Sequence, residues 1–312
     1  MQSDALYDAL LDTLYKTFGH HPGFRVAHAK GILVSGNFMA TEEAAGLSKA
    51  AHFQGASVPV LLRFSNFSGL PATRDGDPEA SPHGLAIRFF IPEQQITDIV
   101  AHSYDGFPVA TPEAFLAFLS AISANVASPP DPVPLNRFLA IHPRARHFLD
   151  NATAAPVSYF SNAYFGVNAF TFIDACENKR YGRYRIEPVT PAAALSEAQA
   201  RISSENYLQD DAAVQLSAGP VRMRLMLQLA CTGDNVADGS LSWPRSNPEI
   251  ELGTLTLHAV LPPDQQDAQA RLAFNPGRLV PGIEKGPDLM IAAREEIYKR
   301  AMTRRSAMEP VR

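Results

Sequence analysis

An α+β fold, built as an antiparallel β-barrel with helices appended to it, is what this 312-residue sequence predicts. Three observations carry that reading. At least six runs rich in β-branched, aromatic and leucine residues are short enough for strands, and Pro, Gly and Asp gather between them. Stretches with apolar residues at helical spacing interrupt those runs instead of alternating regularly with them, which argues against a parallel sheet. No low-complexity linker and no internal repeat divides the chain, so residues 1–312 are expected to form a single domain.

The first element is a helix. Ser3 can cap it, Leu6, Leu10, Leu14 and Phe18 recur on one face, and Gly19 can end it. Strands are expected at 58–65 (VPVLLRFS) and 84–90 (GLAIRFF), neighbours across a Pro/Gly/Asp-rich connection. Further strands are expected at 168–173, 181–186, 221–230 and 253–260. In the third of these, Arg222, Arg224 and Gln228 alternate with Met223, Leu225, Leu227 and Leu229, the period-two pattern of a half-buried strand. Helices are expected at 112–124, 135–149 and 191–202, the first two joined by the proline-rich stretch 128–134. A last helix is expected from Pro287 to Met308, with Pro287 in its first turn and arginines towards its C-terminal end.

Composition narrows the function. The chain is 46 % hydrophobic and 19 % charged, which suits a water-soluble protein with a large core. Its apolar runs fall far short of the roughly 20 residues that span a bilayer, so no membrane partner is expected. The N-terminus has no basic leader followed by an apolar stretch, and a cytoplasmic location is expected. A net charge of −5 with scattered basic residues argues against nucleic acid as a partner, although Lys299 to Arg305 is locally basic. Cys176 and Cys231 lack CxxC spacing, so neither a disulfide framework nor a zinc site is indicated, and both are expected to be buried thiols.

Two short segments carry chemistry. In 25–31 (RVAHAKG), His28 follows Arg25 by three positions and stands ahead of Gly31. Histidine's ordinary pKa of about 6.5 lets it take and return a proton near neutrality, as cleavage of an O–O, ester or phosphate bond requires. Alone, it is equally a core or surface histidine satisfied by its backbone neighbours. On the last helix, Arg294 and Tyr298 are four apart and share a face. A cation close to a phenol favours the phenolate, an anionic oxygen ligand for ferric iron, whereas the plain alternative is an exposed Arg/Tyr pair.

Taken together and in order, the motifs resemble those of the haem catalase superfamily, in particular its short branch of catalase-related peroxidases. The resemblance runs through 25–31, then 60–65 (VLLRFS), 82–89 (PHGLAIRF), Trp243-Pro244 with Gly253, and 274–284 (FNPGRLVPGIE) followed by Pro287-Asp288 and 294–298 (REEIY). It spans about residues 20 to 310. It implies a catalase-like barrel that binds haem b with ferric iron, His28 as the distal acid/base, and Ser65 as its hydrogen-bond partner. Tyr298 would be the axial iron ligand, with Arg294 favouring its ionised form. Arg25, Arg63 and Arg305 would hold the haem propionates, Arg304 being an equally basic neighbour of the last. Phe115, in 111–115 (TPEAF), would lie beside the haem plane, or equally be ordinary core.

The resemblance also has departures. After 98–101 (DIVA), where large catalases carry an asparagine that orients the second peroxide, this sequence has His102 and then Ser103. Either residue is expected to replace that amide in part, with His102 alternatively turned into the barrel wall. The helical and flavodoxin-like additions of larger catalases are expected to be absent after the tyrosine helix. The implied activity is that of a haem peroxidase reducing hydrogen peroxide or organic hydroperoxides at the expense of a small organic electron donor, with weak or absent disproportionation. True catalase activity, hydroperoxide isomerisation or lysis, and non-enzymatic haem carriage or sensing are the alternatives, and a homo-oligomer is compatible with all of them.

Overall fold

A computed structural model describes residues 2–151 and 155–307. Its elements in chain order are α1 (Gln2–Phe18), β1 (Gly31–Ala40), α2 (Glu42–Leu47), β2 (Val58–Ser65), β3 (Gly84–Ile91), β4 (Gln95–His102), α3 (Pro112–Asn125), α4 (Val133–Ile141) and α5 (Pro143–Asn151). Then follow β5 (Tyr164–Phe165), β6 (Phe170–Ile173), β7 (Lys179–Pro188), α6 (Glu197–Ile202), α7 (Tyr207–Ala218), β8 (Val221–Leu229), β9 (Glu249–Val260), α8 (Pro263–Gln266), β10 (Ile283–Lys285) and α9 (Leu289–Ala307).

The sheet is antiparallel and closed. Strands run in the order β10-β6-β7-β5-β4-β3-β2-β1-β9-β8, and β8 returns to pair with β7. The long β7 offers one edge to β6 through its first half and to β5 through its second, and its other edge to β8. Eight strands therefore make the ring, with β6 and β10 as an extension. Closure removes the free edges that an open sheet of this size would leave unpaired.

Alternation along each strand sorts side chains to two faces. Leu62, Phe64, Leu85, Ile87, Phe89, Ile99 and Ala101 point into the ring, where they join Phe38, Phe53, Tyr159, Tyr164 and Phe172 in one contiguous core. The opposite face of β2, β3 and β4 carries Arg63, Ser65, Gly84, Ala86, Arg88, Asp98 and His102, and pairing aligns Ser65 with Gly84 and Gly84 with His102. A second, smaller core lies outside the ring, where α1 and α9 pack through Leu10, Leu11, Leu14, Ala293 and Ile297, with Leu119 from α3. Arg300 and Arg304 of α9 form ion pairs with Asp4, Asp8 and Asp12 of α1.

Several expectations need correction. Cys176 and Cys231 are exposed, because each sits in a polar turn beyond a strand end instead of on an inward-facing position. The helix expected at 135–149 is two, since Pro143 supplies no N–H to continue the first. The one expected from Pro191 starts only at Glu197, after the Ser196 capping box. Ser3 lies inside α1, not before it, while Gly19, at φ +82, does receive the helix end through its N–H to the Tyr15 carbonyl. Asp288, not Pro287, opens α9 by accepting the Met290 amide, and Met308 lies outside the described residues. Strand β1 and helix α7 have no counterpart among the expected elements. No helix among the described residues is long and apolar enough to cross a membrane.

Candidate active site

Most of the expected site residues lie on the outer face of β2 to β4, in the segment just before β1, or on α9. His28 sits in the bend just before β1 with φ +55, a left-handed conformation that costs a non-glycine residue energy. Its amide donates to the Phe67 carbonyl at 2.9 Å, and its ring stands edge-on to Phe67 at 5.4 Å. Nδ1 lies 3.1 Å from Ser65 Oγ. Gly84, the strand partner of Ser65, makes room for this pair: a Cβ there would come within 2.7 Å of both His28 Nδ1 and Ser65 Oγ. Burial first, then the charge of Arg63, push His28 down to about 3, so it is a neutral imidazole at neutral pH.

Arg63 anchors the histidine's backbone. Its Nη2 donates to the carbonyls of His28 at 3.0 Å and Ala29 at 3.1 Å, and its Nε to Gln269 at 2.7 Å. Gly31 lets the guanidinium pass, since a Cβ there would lie 2.6 Å from it. Arg25 donates to the Leu272 carbonyl at 2.9 Å, and Arg305 to that same carbonyl at 3.0 Å as well as to Ala270. Arg305 is only 3 % exposed, whereas Arg304 turns outward to the acids of α1, which separates two neighbours that spacing left equivalent. Arg25 and Arg63 form no ion pair with a carboxylate among the described residues, their hydrogen bonds going to carbonyl groups alone. Burial lowers the pKa of Arg63 to about 9 and that of Arg25 well below the ordinary value. Buried cations with no counter-charge are costly unless an anion joins them.

Tyr298 opens into a cavity of about 260 Å³ that Arg88, Arg271, Arg278 and Lys299 also line. Its hydroxyl oxygen accepts from Arg294 Nε at 3.2 Å and Nη2 at 3.1 Å. Arg294 is itself held by the Asn168 amide oxygen, and Asn168 donates to the buried Asp288 at 2.7 Å. Neither this relay from Asp288 to Tyr298 nor the contribution of Gln269 was visible in the sequence. Arg88 binds Asp98 through two bonds of 2.8 and 2.9 Å, and Arg278 shares the same carboxylate.

Two further residues differ in outcome. Phe115, near the start of α3, is half-buried against Phe107 at 5.0 Å, and Phe107 in turn lies 6.3 Å from His102. It packs against both helical cores as well. His102 shares the face of Ser65 and Gly84 and does not turn into the barrel wall. Ser103, the other candidate there, has its hydroxyl oxygen taken by the His83 amide at 2.9 Å.

The residues fit haem. Tyr298 offers an oxygen whose negative charge Arg294 would complement, and the arginines without counter-charge suit a group bearing two carboxylates. Comparison with known proteins agrees with this chemistry. The catalase family model matches residues 8–309. A catalase-related peroxidase of Mycolicibacterium paratuberculosis is 34 % identical over 97 % of this chain and 95 % of its own length. A second, from Synechococcus elongatus, is 29 % identical over 96 % of this chain and 88 % of its own. A fungal catalase structure superposes with a TM-score of 0.80 at 23 % identity, covering 95 % of this chain and 62 % of that one. The chain belongs to the catalase family.

Proposed function

We propose that residues 1–312 act as one haem-binding domain that reduces hydrogen peroxide or organic hydroperoxides, taking electrons from a small organic donor. What supports this reading is a neutral, serine-held His28 that feels the charge of Arg294, the arginine that in turn holds Tyr298, in a chain that matches catalase-related peroxidases over nearly their whole length. When bound, haem b supplies a ferric Lewis acid and stores the two oxidising equivalents released by O–O cleavage.

The chain's own residues do the rest. Tyr298 would hold the iron through its oxygen, which already accepts two N–H groups of Arg294. Arg25, Arg63 and Arg305 would bind the propionates. His28 is the base. For Nε2 to accept a proton, Nδ1 must keep its own, and Ser65 Oγ is placed to receive that N–H. Nε2 then takes the proton of the hydroperoxide and returns it to the departing oxygen, so that ROOH with two protons and two electrons becomes ROH and water. Phe115 and Phe107 keep water from one wall of the cleft.

The test is haem reconstitution followed by stopped-flow mixing with hydrogen peroxide or an organic hydroperoxide, with and without a phenolic donor. Donor oxidation without oxygen release is expected. Oxygen release in its place would identify disproportionation, and rearranged hydroperoxide without donor oxidation an isomerase or lyase. A ferric tyrosinate absorption that Tyr298→Phe left unchanged would defeat the ligand assignment.

A further inference from the structure

His102 holds the most telling unsatisfied group in the cleft. Its Nδ1 accepts the amide N–H of Tyr104 at 3.3 Å, which in a neutral ring leaves the proton on Nε2. That Nε2 is buried and has no hydrogen-bond partner. A buried donor without a partner is costly, so one that persists calls for an explanation by function or ligand. Strand register puts the ring on the same rung and face as Gly84 and Ser65, the residues that frame His28. Burial, then the Arg294 charge, lower His102 to about 3, so the ring stays neutral.

Resting on the peroxidase reading above, we infer that His102 is a specificity residue of fixed tautomer, whose Nε2–H receives the alkyl-bearing oxygen of an organic hydroperoxide. The cleft thus divides the two tasks between two histidines. His28 accepts a proton, and His102 only donates a hydrogen bond, because its second nitrogen is already used by Tyr104. The substituted oxygen of ROOH is an acceptor with no hydrogen of its own, which matches a donor-only partner. A second molecule of hydrogen peroxide, in order to be oxidised, has to give up both hydrogens, and His102 provides no acceptor for either. The same locked ring therefore favours organic hydroperoxide reduction and disfavours disproportionation, with no proton leaving His102 in either case.

Two measurements test this. Nitrogen-15 NMR of the histidine-labelled protein before haem loading should give the Nε2–H tautomer for His102 between pH 6 and 8; the Nδ1–H form, or exchange between the two, overturns the inference. In the haem-loaded protein, fluoride serves as a small acceptor probe. His102→Phe should weaken its binding about tenfold, while His102→Asn, which restores a donor and adds an acceptor, should recover most of that loss and raise oxygen release from hydrogen peroxide. Fluoride affinity within twofold of the parent in His102→Phe would overturn the proposal while leaving the peroxidase reading intact. Failure of the parent protein to take up haem would instead remove that reading, and the proposal with it.

Discussion

The two faces of strands β2 to β4 belong to different regimes. Inward, Leu62, Phe64, Leu85, Ile87 and Phe89 alternate through a dry aromatic core in which even His52 and His83 are buried, each with one ring nitrogen unpaired. Outward, and one residue away at each step, Arg63, Ser65, Gly84 and His102 meet a cleft of arginines and histidines. The barrel interior is packed with apolar and aromatic side chains, and its strands present the site residues on their other face. Period two lets one strand do both jobs without compromise.

That contrast breaks most forcefully from the inside. Phe64→Ala should cost about 3–5 kcal/mol of stability, seen as a lower urea midpoint, because its ring packs on Tyr159, Phe160 and Tyr164. The molecules that remain folded should still bind haem. His28→Ala is the converse: hydroperoxide cleavage should slow at least ~100-fold, the lower range for a positioned acid/base, with little change in the unfolding midpoint. A smaller effect is expected of Gly84→Ala, whose new methyl group must displace His28 or Ser65. About 1–3 kcal/mol of strain and a loss of peroxidase rate should appear together, an outcome that neither region alone would give.

The mildest test uses pH. His28, His52, His83 and His102 are all lowered to about 3, by burial foremost. The unfolded chain binds protons at these histidines near pH 6.5 and the folded one only near 3. Unfolding therefore takes up protons between those values, and the stability they contribute, complete above pH 6.5, is lost as the pH falls towards 3. Each contributes up to about 1.4 kcal/mol per pH unit within that window. His52→Leu, inside the barrel, should make the fall of urea midpoint with pH shallower without touching the fluoride affinity of the cleft. An unchanged slope would mean that His52 is protonated in the fold.

How much was legible follows the same division. His28 and the Arg294/Tyr298 pair could be singled out locally as candidates, the latter because four residues make about one helical turn. The alternating stretch from Met223 to Leu229 likewise proves to be strand β8. What escaped depends on distance or on weak propensity. Asn168 reaches Arg294 across 126 positions, and no spacing rule links a lone amide to a partner so remote. Strand β1 carries Ser35, Gly36 and Asn37 in its middle, residues that rarely mark strands, and only its pairing with β2 and β9 defines it. Arg304 and Arg305 looked alike until the packing of α1 took one of them outward.

The grip of Arg305 on the 270–272 segment also bears on the order of events in a cell. Arg25 and Arg305 meet at the Leu272 carbonyl from nearly opposite ends of the chain. Synthesis delivers all ten strands before it delivers that last arginine, so a nascent chain can close its barrel while its anion-binding cleft is still unfinished. On the haem-binding reading proposed above, the full set of arginines offered to the cofactor would be complete only once translation has passed Arg305.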